Sequence, residues 1–347
     1  MDFSQLDNTD VAGATSFDMD PPAQVAGRVL EFDADFLAYH HGYRWEEESV
    51  AASIEHLKVG IEKWRLLAGA ETMNLHLTMG NKAGRYELAK VAEYQAQRSE
   101  RPEGLTERVG ELRTFMAEYH TPQVTPRVWL DREADDGLCQ AMWADRETGN
   151  CVLWSMDKDL TMVGGMHLDP ATCELVQYPW GYGSTVYDPD AKKIIGKGTS
   201  FFWHQMLMGD TADNIPGLPK ITVGIRKRHL EMPKYYTAAH ARNATTKAQK
   251  IAKSKAVDAA EKKLAPIACG PATAAKILQG CHNDYQALVR VKECYDALYG
   301  RLEKNRVAWD GSTYNATASD MLLEQGRLLW MQRTPGQDVL EWITEVV

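Results

Sequence analysis

Acidic side chains recur in this sequence at spacings that would place carboxylates side by side. Asp157 and Asp159 are two residues apart, which turns both side chains to one face of an extended segment. Glu133 and Asp136 are three residues apart, which turns both to one face of a helix. Carboxylates held this close repel one another and raise each other's pKa unless cations compensate their charge. The spacing therefore predicts a site that binds cations.

The segments before these acids have the pattern of strands in a parallel sheet. Short β-branched and aliphatic runs are separated by stretches long enough for helical crossovers. In an open parallel sheet, sites form in the crevice beyond the carboxyl ends of the strands, so we expect acids from distant positions to meet there. The expected strands are residues 28–32, 73–78, 127–130 and 151–155, and the acids that follow them are Asp33, Glu133, Asp135, Asp136, Asp157 and Asp159.

A crevice with this many carboxylates would hold divalent cations. Ligation by oxygen alone, without His or Cys, suits Mg²⁺, with Mn²⁺ as a substitute. Two ions roughly 4 Å apart would polarise a phosphodiester, generate hydroxide from a bound water and stabilise the leaving oxygen. A single acidic pair is common in solvated loops, so the prediction depends on several groups occurring together. Asp210 and Asp213 add a further pair, whereas Asp35 and Asp131 are expected to be surface or outer acids.

The acidic groups follow the order found in the 5′-nuclease superfamily, which this sequence resembles over roughly residues 28–278. The matching segments read FDAD at 32–35, EADD at 133–136, MDKD at 156–159 and GDTADNIPG at 209–217. The resemblance is strongest to bacteriophage 5′→3′ exonucleases, and it implies a metal-dependent nuclease that acts on DNA. It further implies one metal ion held by Asp33, Glu133, Asp135 and Asp136, and a second held by Asp157, Asp159, Asp210 and Asp213.

The resemblance also implies an element that holds the 5′ end of a DNA strand. A helical arch at about residues 80–120 would thread this end, since aromatic stacking with neighbouring cations can hold a frayed strand. Tyr39 and His40 would either stack on the terminal base or remain a packed Tyr and a surface His. The arch would contain Arg85, Tyr94 and Arg98, of which Tyr94 is expected to bind DNA, while Arg85 and Arg98 join Asp33 as catalytic residues.

Residues 269–275, which read CGPATAA, would form the second hairpin of a helix–three-turn–helix element. A Gly-led turn that opens a helix points backbone N–H groups at a phosphate, and small residues allow close approach. The resemblance implies a monovalent ion, K⁺, in this element. It also implies contacts to the DNA duplex from Gly270, Thr273 and Lys276.

Two positions depart from the pattern of the superfamily. The acidic residue expected after the strand at 73–78 is absent, and the lysine of the Tyr-Lys-x-x-Arg pattern is Gln95. A missing carboxylate weakens metal retention, and a missing lysine removes charge that would stabilise the transition state. We expect Lys82 or another nearby cation to compensate, and we expect a lysine at position 95 to raise the rate.

The charge of the chain is segregated. Its formal net charge of −9 argues against a polyanionic partner, but residues 220–266 hold twelve Lys and Arg against three Asp and Glu. This basic insertion either extends the contact with duplex DNA or forms a solvated basic helix. The lysines expected to bind DNA in the first case are Lys247, Lys250, Lys253 and Lys255.

The remaining features bound the class and the organisation of the protein. No apolar run is long enough to span a membrane and the N-terminus lacks the order of a signal peptide, so we expect a cytoplasmic protein, in the host cell if a phage encodes it. The six cysteines are scattered, which favours neither zinc nor disulfides. We expect an α/β fold with a PIN-like, mainly parallel sheet flanked by helices, in a monomer. The expected divisions are a disordered tail (1–24), a nuclease core with the arch (25–219), the basic insertion (220–266) and a helical DNA-binding region (267–347).

The sequence therefore predicts a two-metal-ion 5′→3′ exonuclease or flap endonuclease. Its substrate would be duplex DNA with a free 5′ end, a flap or an RNA primer–DNA hybrid. One alternative is a catalytically weakened protein that binds branched DNA. Another is a ribonuclease of the related PIN architecture, which the long C-terminal half disfavours because small PIN ribonucleases generally end after the sheet.

Overall fold

A six-stranded, mainly parallel sheet forms the centre of the protein. The computed structural model describes residues 21–96, 101–218, 269–299 and 304–346. The sheet consists of β1 (Val25–Asp33), β2 (Ala70–Thr78), β3 (Val124–Trp129), β4 (Cys151–Trp154), β5 (Gly165–Leu168) and β6 (Leu175–Tyr178). Their spatial order is β3-β2-β1-β4-β5-β6, and all neighbours are parallel except β5 and β6.

Ten α-helices and two small hairpins complete the described part of the chain. The hairpins are β7 (Ser184–Asp188) with β8 (Lys193–Lys197), and β9 (Asn305–Val307) with β10 (Thr313–Asn315). The helices are α1 (Ala34–Gly42), α2 (Val50–Leu67), α3 (Arg85–Leu88), α4 (Glu103–Glu118), α5 (Ala134–Ala144), α6 (Ser200–Met208), α7 (Pro271–Leu278), α8 (Asp284–Tyr299), α9 (Ala318–Leu329) and α10 (Val339–Glu345).

The two faces of the sheet bury separate apolar clusters. Along β4, Val152 and Trp154 face one cluster while Leu153 faces the other, as the two-residue period of a strand requires. Helices α1, α2 and α4 cover the first face, and α5, α6 and the C-terminal helices cover the second. Helix α4 contributes Leu105, Val109, Leu112 and Met116, which recur at helical spacing.

Helix α5 lies close against the second face because a glycine leaves room for an indole ring. A Cβ at Gly137 would lie 2.2 Å from Nε1 of Trp129. That Nε1 donates a hydrogen bond to Nδ1 of His76 at 3.1 Å, so His76 carries its proton on Nε2 and donates to Glu31 at 2.7 Å. This buried chain of polar groups fixes the helix that carries the acids at 133–136.

The C-terminal segment braces the parts of the chain that surround the strand ends. In α9, Oε1 of Glu324 accepts hydrogen bonds from the backbone N–H groups of Lys90 and Val91 at 2.9 and 3.0 Å. The next residue, Gln325, accepts one from the N–H of Gly217 at 3.0 Å. Both Glu324 and Gln325 are buried, so α9 ties residues 90–91 to the turn at 209–217.

Most expected elements are present, and the differences lie at strand ends, in short strands and in the C-terminal region. The mainly parallel sheet flanked by helices is confirmed. The expected strands at 28–32 and 73–78 lie within β1 and β2, and those at 127–130 and 151–155 run one residue past the ends of β3 and β4. The strands β5 to β8 were not predicted, nor was the hairpin of β9 and β10 in the region expected to be helical, because each strand is only three to five residues long. The end of the expected helical region at 267–347 forms two helices, α9 and α10. Within the expected arch, α4 packs on α1 and α2.

Candidate active site

An open cleft of about 670 Å³ lies at the carboxyl ends of the parallel strands. It is bounded by the end of β1, the end of β2, the N-terminus of α5, the segment after β4 and the turn after α6. Seven of the eight acids predicted as metal ligands line it, together with one acid that was expected to lie at the surface. These side chains are Asp33, Asp135, Glu133, Asp157, Asp159, Asp210 and Asp213, and the additional acid is Asp35.

One half of the cleft carries carboxylates with little compensation. Asp33 ends β1 and caps α1, and its Oδ2 accepts a hydrogen bond from Oγ of Ser155 at 2.8 Å. Burial and the neighbouring charge of Asp35 raise the pKa of Asp33 to about 7. Burial, with repulsion from Asp157 and Asp33, raises the pKa of Asp135 well above its usual range. This half of the cleft therefore favours a bound cation.

In the other half, a lysine ammonium bridges two carboxylates. Nζ of Lys158 lies 2.8 Å from Asp159 and 2.5 Å from Asp210. Burial would lower the pKa of Lys158, but the two carboxylates outweigh this and raise it. Asp157 was expected on an extended segment; instead it caps a 3₁₀ helix, Lys158–Met162, by accepting from the N–H of Asp159 at 2.8 Å. Both acids still line the cleft.

Two cations and a hydroxyl group compensate the charge of Glu133. Its Oε1 lies 3.0 Å from Nζ of Lys82, and its Oε2 lies 3.0 Å from both the guanidinium of Arg85 and the hydroxyl of Tyr94. Burial would raise the pKa of Glu133, but Arg85 and Lys82 hold it below its usual value.

The last two acids lie on a tight turn rather than on a helix. Asp210 pairs with Ile215 through backbone hydrogen bonds of 2.7 Å in both directions. The turn is held from outside by Gln95, whose Nε2 donates to Oδ1 of Asp213 at 2.8 Å and whose N–H donates to the carbonyl of Asp213. Asp210 and Asp213 have the same three-residue spacing as Glu133 and Asp136, but they share the cleft because of this turn and not because of a helix.

Asp136 and Arg85 do not line the cleft, which corrects their expected roles. Asp136 is fully buried, and both its oxygens accept hydrogen bonds from Arg85, at 2.8 and 3.0 Å. One of them also accepts from the N–H of Gln332, and Arg85 donates to the carbonyl of Trp330. The pair thus locks α5 to the C-terminal segment, and Arg85 is no arch cation exposed to a substrate.

Tyr94 is also placed differently from its expected role. Only 3% of its surface is exposed, and its hydroxyl donates to Glu133, so it cannot stack on a base in this conformation. His40 does not line the cleft, whereas Tyr39 does. The guanidinium groups of Arg101 and Arg113 lie 4.6 and 5.2 Å from the Tyr39 ring, which gives the cleft one cationic aromatic wall.

Several residues of the cleft were not assigned from sequence. Arg113 forms an ion pair with Asp35 at 2.9 Å, and Asp35 accepts a hydrogen bond from the N–H of Thr78, at the strand end where the sequence lacks its expected acid. Lys158 had a signal, because it stands between two acids in MDKD. Arg101 and Arg113 had none, since their approach depends on how α4 packs.

The expected DNA-binding residues fall partly within the described chain. Gly270 caps α7, Pro271 follows it, and open space surrounds the position where a Cβ of Gly270 would lie. Thr273 is buried and Lys276 is exposed. The helix expected before this turn lies outside the described residues, as do Arg98, Lys247, Lys250, Lys253, Lys255 and the tail up to residue 20.

Replacing Arg85 by Met should destabilise the protein by about 3–5 kcal/mol, because it leaves the buried carboxylate of Asp136 without its partner. Urea unfolding measures this loss. The matched control is Arg327→Met, which breaks the partly exposed pair with Asp338 and should cost about 1 kcal/mol. Equal losses in the two variants would contradict a structural role for the buried pair.

The oxygen-only donor set fits Mg²⁺ or Mn²⁺ in its chemistry. The raised pKa values of Asp33 and Asp135 show carboxylates that a cation would stabilise. The carboxylates are farther apart than metal ligands need to be. Within the described ranges, no three His, Cys, Asp or Glu side chains stand close enough together to hold a metal ion. The lysines at 82 and 158 occupy part of the acidic surface instead. Coordination would therefore require side chains to rotate.

The fold and the cleft define a mainly parallel α/β protein with an acidic site at the carboxyl edge of its sheet. No protein family model matches the chain. The chain is 30% identical over 132 residues to a curated 5′-3′ exonuclease of Halalkalibacterium halodurans, and the match covers 37% of this chain and 41% of that protein. The chain thus spans less than half the length of this relative. The match confirms the resemblance to 5′-nucleases over that part.

Two solved structures of bacteriophage T5 enzymes are also similar. The 5′-exonuclease with bound zinc is 16% identical, and the match covers 86% of this chain and 99% of that chain with a TM-score of 0.42. The flap endonuclease in a complex with DNA and metal ions is 15% identical, with 87% and 99% covered and the same TM-score.

Proposed function

We propose that the protein is a metal-dependent 5′-nuclease that hydrolyses phosphodiesters of DNA from 5′ ends or at flaps. The observation that carries this proposal is the cleft, in which seven acids from four separate segments meet at the carboxyl edge of a parallel sheet. The motifs shared with 5′-nucleases and the match to a 5′-3′ exonuclease support the same function. We place the protein in the cytoplasm and expect it to act as a monomer. Within the described residues, no helix is both long and apolar enough to cross a bilayer.

The acids of the cleft would hold two Mg²⁺ ions, for which Mn²⁺ can substitute. Such ions polarise a phosphodiester and lower the pKa of a bound water. Asp33, Glu133 and Asp135 would form one group of ligands. Asp157, Asp159, Asp210 and Asp213 would form the other, and Asp136 is left out because Arg85 occupies both its oxygens.

The residues around the acids would position the DNA. Tyr39, with the guanidinium groups of Arg101 and Arg113 at its face, offers a stacking surface and positive charge for a terminal nucleotide. The N-terminus of α7 at Gly270 offers backbone N–H groups to a phosphate, with Lys276 on the same helix, and K⁺ would bind beside it. The basic insertion would add contacts along the duplex.

Digestion of end-labelled DNA tests this function. Duplexes, 5′ flaps and RNA primer–DNA hybrids, labelled at either end, should lose nucleotides from the 5′ end in Mg²⁺ or Mn²⁺ and remain intact in EDTA. The products should carry a 5′-phosphate. Degradation from the 3′ end, or cleavage that EDTA leaves unchanged, would contradict the proposal.

A second candidate is a protein that binds branched DNA and cleaves it weakly. The observation that favours it is the position of Lys158, whose ammonium group bridges two of the acids that a metal ion would need. Tight binding to flap DNA without cleavage in either metal would select this candidate. Cleavage of RNA alone would select a PIN-type ribonuclease.

A further inference from the structure

Lys82 stands on a rigid segment that leads directly into the cleft. The N–H of Asn81 donates to the carbonyl of Leu130 at 2.7 Å, and the side chain of Asn81 accepts from the N–H of Gly84 at 2.9 Å. A Cβ at Gly80 would lie 2.2 Å from the carbonyl oxygen of Leu130, so the backbone approaches closely here. The ammonium group of Lys82 is therefore presented from a fixed backbone.

Gln95 orients this ammonium group from the opposite side. It is buried, and its backbone has a φ of 56°, which a side chain tolerates only when its surroundings fix it. Its Nε2 donates to the carboxylate of Asp213 at 2.8 Å, so its Oε1 points the other way. That oxygen accepts from Nζ of Lys82 at 2.6 Å.

Of the two lysines among the described residues that line the cleft, Lys82 has the charge that is less compensated by carboxylates. Lys158 is held between two carboxylates. Lys82 contacts one carboxylate, that of Glu133, which Arg85 and the hydroxyl of Tyr94 already compensate. Its other partner is a neutral amide. An ammonium group in this setting keeps a positive electrostatic potential, which can stabilise the negative charge of a phosphate.

We propose that Lys82 contacts the phosphate that is cleaved, and that Gln95 is the positioning residue that holds its ammonium group in the cleft. This inference rests on the proposed nuclease function. A lysine at position 95 would lose the oxygen that accepts from Lys82 and would set two ammonium groups side by side. The expectation that such a lysine raises the rate is therefore reversed.

Single-turnover cleavage of 5′-flap DNA at saturating metal tests the roles of the two residues. Lys82→Met should lower the rate about 100-fold, as the loss of one preorganised cationic donor does. Its affinity for the flap, measured by anisotropy in EDTA, should change less than about threefold, because the contact strengthens only in the transition state. Lys82→Arg should retain most of the rate. Lys58→Met, which removes a lysine of α2 outside the cleft, should match the wild type.

The position of Gln95 allows an exchange experiment. Gln95→Lys alone should lower the rate. In the double variant Lys82→Met/Gln95→Lys, the new ammonium group should regain part of the rate lost in Lys82→Met, because the two side-chain tips meet at 2.6 Å. All variants are first checked for folding by thermal unfolding.

The outcomes separate this inference from the function on which it rests. Cleavage by the wild type with an unchanged rate in Lys82→Met, or a faster rate in Gln95→Lys, overturns the assignment of Lys82 and leaves the nuclease intact. No cleavage of any DNA by the wild type overturns both.

Discussion

Asp135→Asn is expected to abolish DNA cleavage while raising the melting temperature of the metal-free protein. Asp135 has no hydrogen-bond or ion-pair partner among the described residues, and burial with repulsion from Asp157 and Asp33 raises its pKa. When the pKa of a carboxyl group is higher in the folded than in the unfolded protein, its ionisation destabilises the fold at any pH above the unfolded-state pKa. Removing the charge therefore removes this penalty, and a rise of roughly 2–4 °C at pH 7.5 is expected.

The loss of activity has a different cause from the gain in stability. An amide is a poorer ligand for a divalent cation than a carboxylate, so single-turnover cleavage should fall by at least about 10³-fold. The matched control is Asp131→Asn, because Asp131 lies outside the cleft and is paired with Arg132 at the surface. Its melting temperature and rate should stay near those of the wild type. A lower melting temperature in Asp135→Asn would mean that its carboxylate is compensated in the fold.

The stability gain of Asp135→Asn should also depend on pH. As the pH falls through the raised pKa, the carboxylate of the wild type takes up a proton, and the difference between the two proteins should shrink. Thermal unfolding of both proteins between pH 4 and pH 8 in EDTA measures this difference. A gain that is constant over this range would exclude charge repulsion as its cause.

The meeting of the acids could be predicted from the sequence because it follows from the sheet. Asp33 ends β1 and Asp157 follows β4, and adjacent parallel strands bring their carboxyl ends to one edge. Spacing alone did not distinguish Asp135 from Asp136. Both lie in the first turn of α5, but Asp136 faces Arg85 and the C-terminal segment. Its contact with Gln332 in that segment joins positions almost two hundred residues apart in the sequence.

The contacts of Lys82 and Arg113 with the acids could not be predicted, because they too join segments that are far apart in the sequence. Lys82 reaches Glu133 only because the segment after β2 lies beside the end of β3. Arg113 reaches Asp35 only because α4 packs on α1. These contacts depend on tertiary packing, for which local periodicity carries no signal. Tyr94 illustrates the consequence, since an aromatic side chain expected to stack on DNA is buried against Glu133 instead.

Gly209→Ala is expected to unfold the turn that carries two of the acids and to remove most of the activity. Gly209 ends α6 with a φ of 73°, a conformation that side chains rarely adopt. A Cβ there would lie 2.1 Å from the carbonyl oxygen of Ile215, which belongs to the backbone and cannot rotate away. The bridge between Asp210 and Ile215 would have to open, which displaces Asp210 from the cleft.

The size of this effect can be separated from the general cost of a positive φ. Gly149→Ala is the matched control, because Gly149 has a φ of 67° but nothing within 4 Å of its Cβ position. The control should cost about 1–2 kcal/mol in urea unfolding and leave the rate unchanged. Gly209→Ala should cost at least about 3 kcal/mol, since backbone clash adds to the conformational strain.

Activity gives the sharper comparison between the two glycines. A displacement of catalytic groups by about 1 Å can lower a rate 10²-fold, so Gly209→Ala should cleave at least about 100 times more slowly wherever it remains folded. The decrease should persist at saturating DNA and below the melting temperature of the variant. If Gly209→Ala matches Gly149→Ala in both stability and rate, then the turn does not depend on close backbone contact at Gly209, and this glycine has no structural role in holding Asp210 and Asp213.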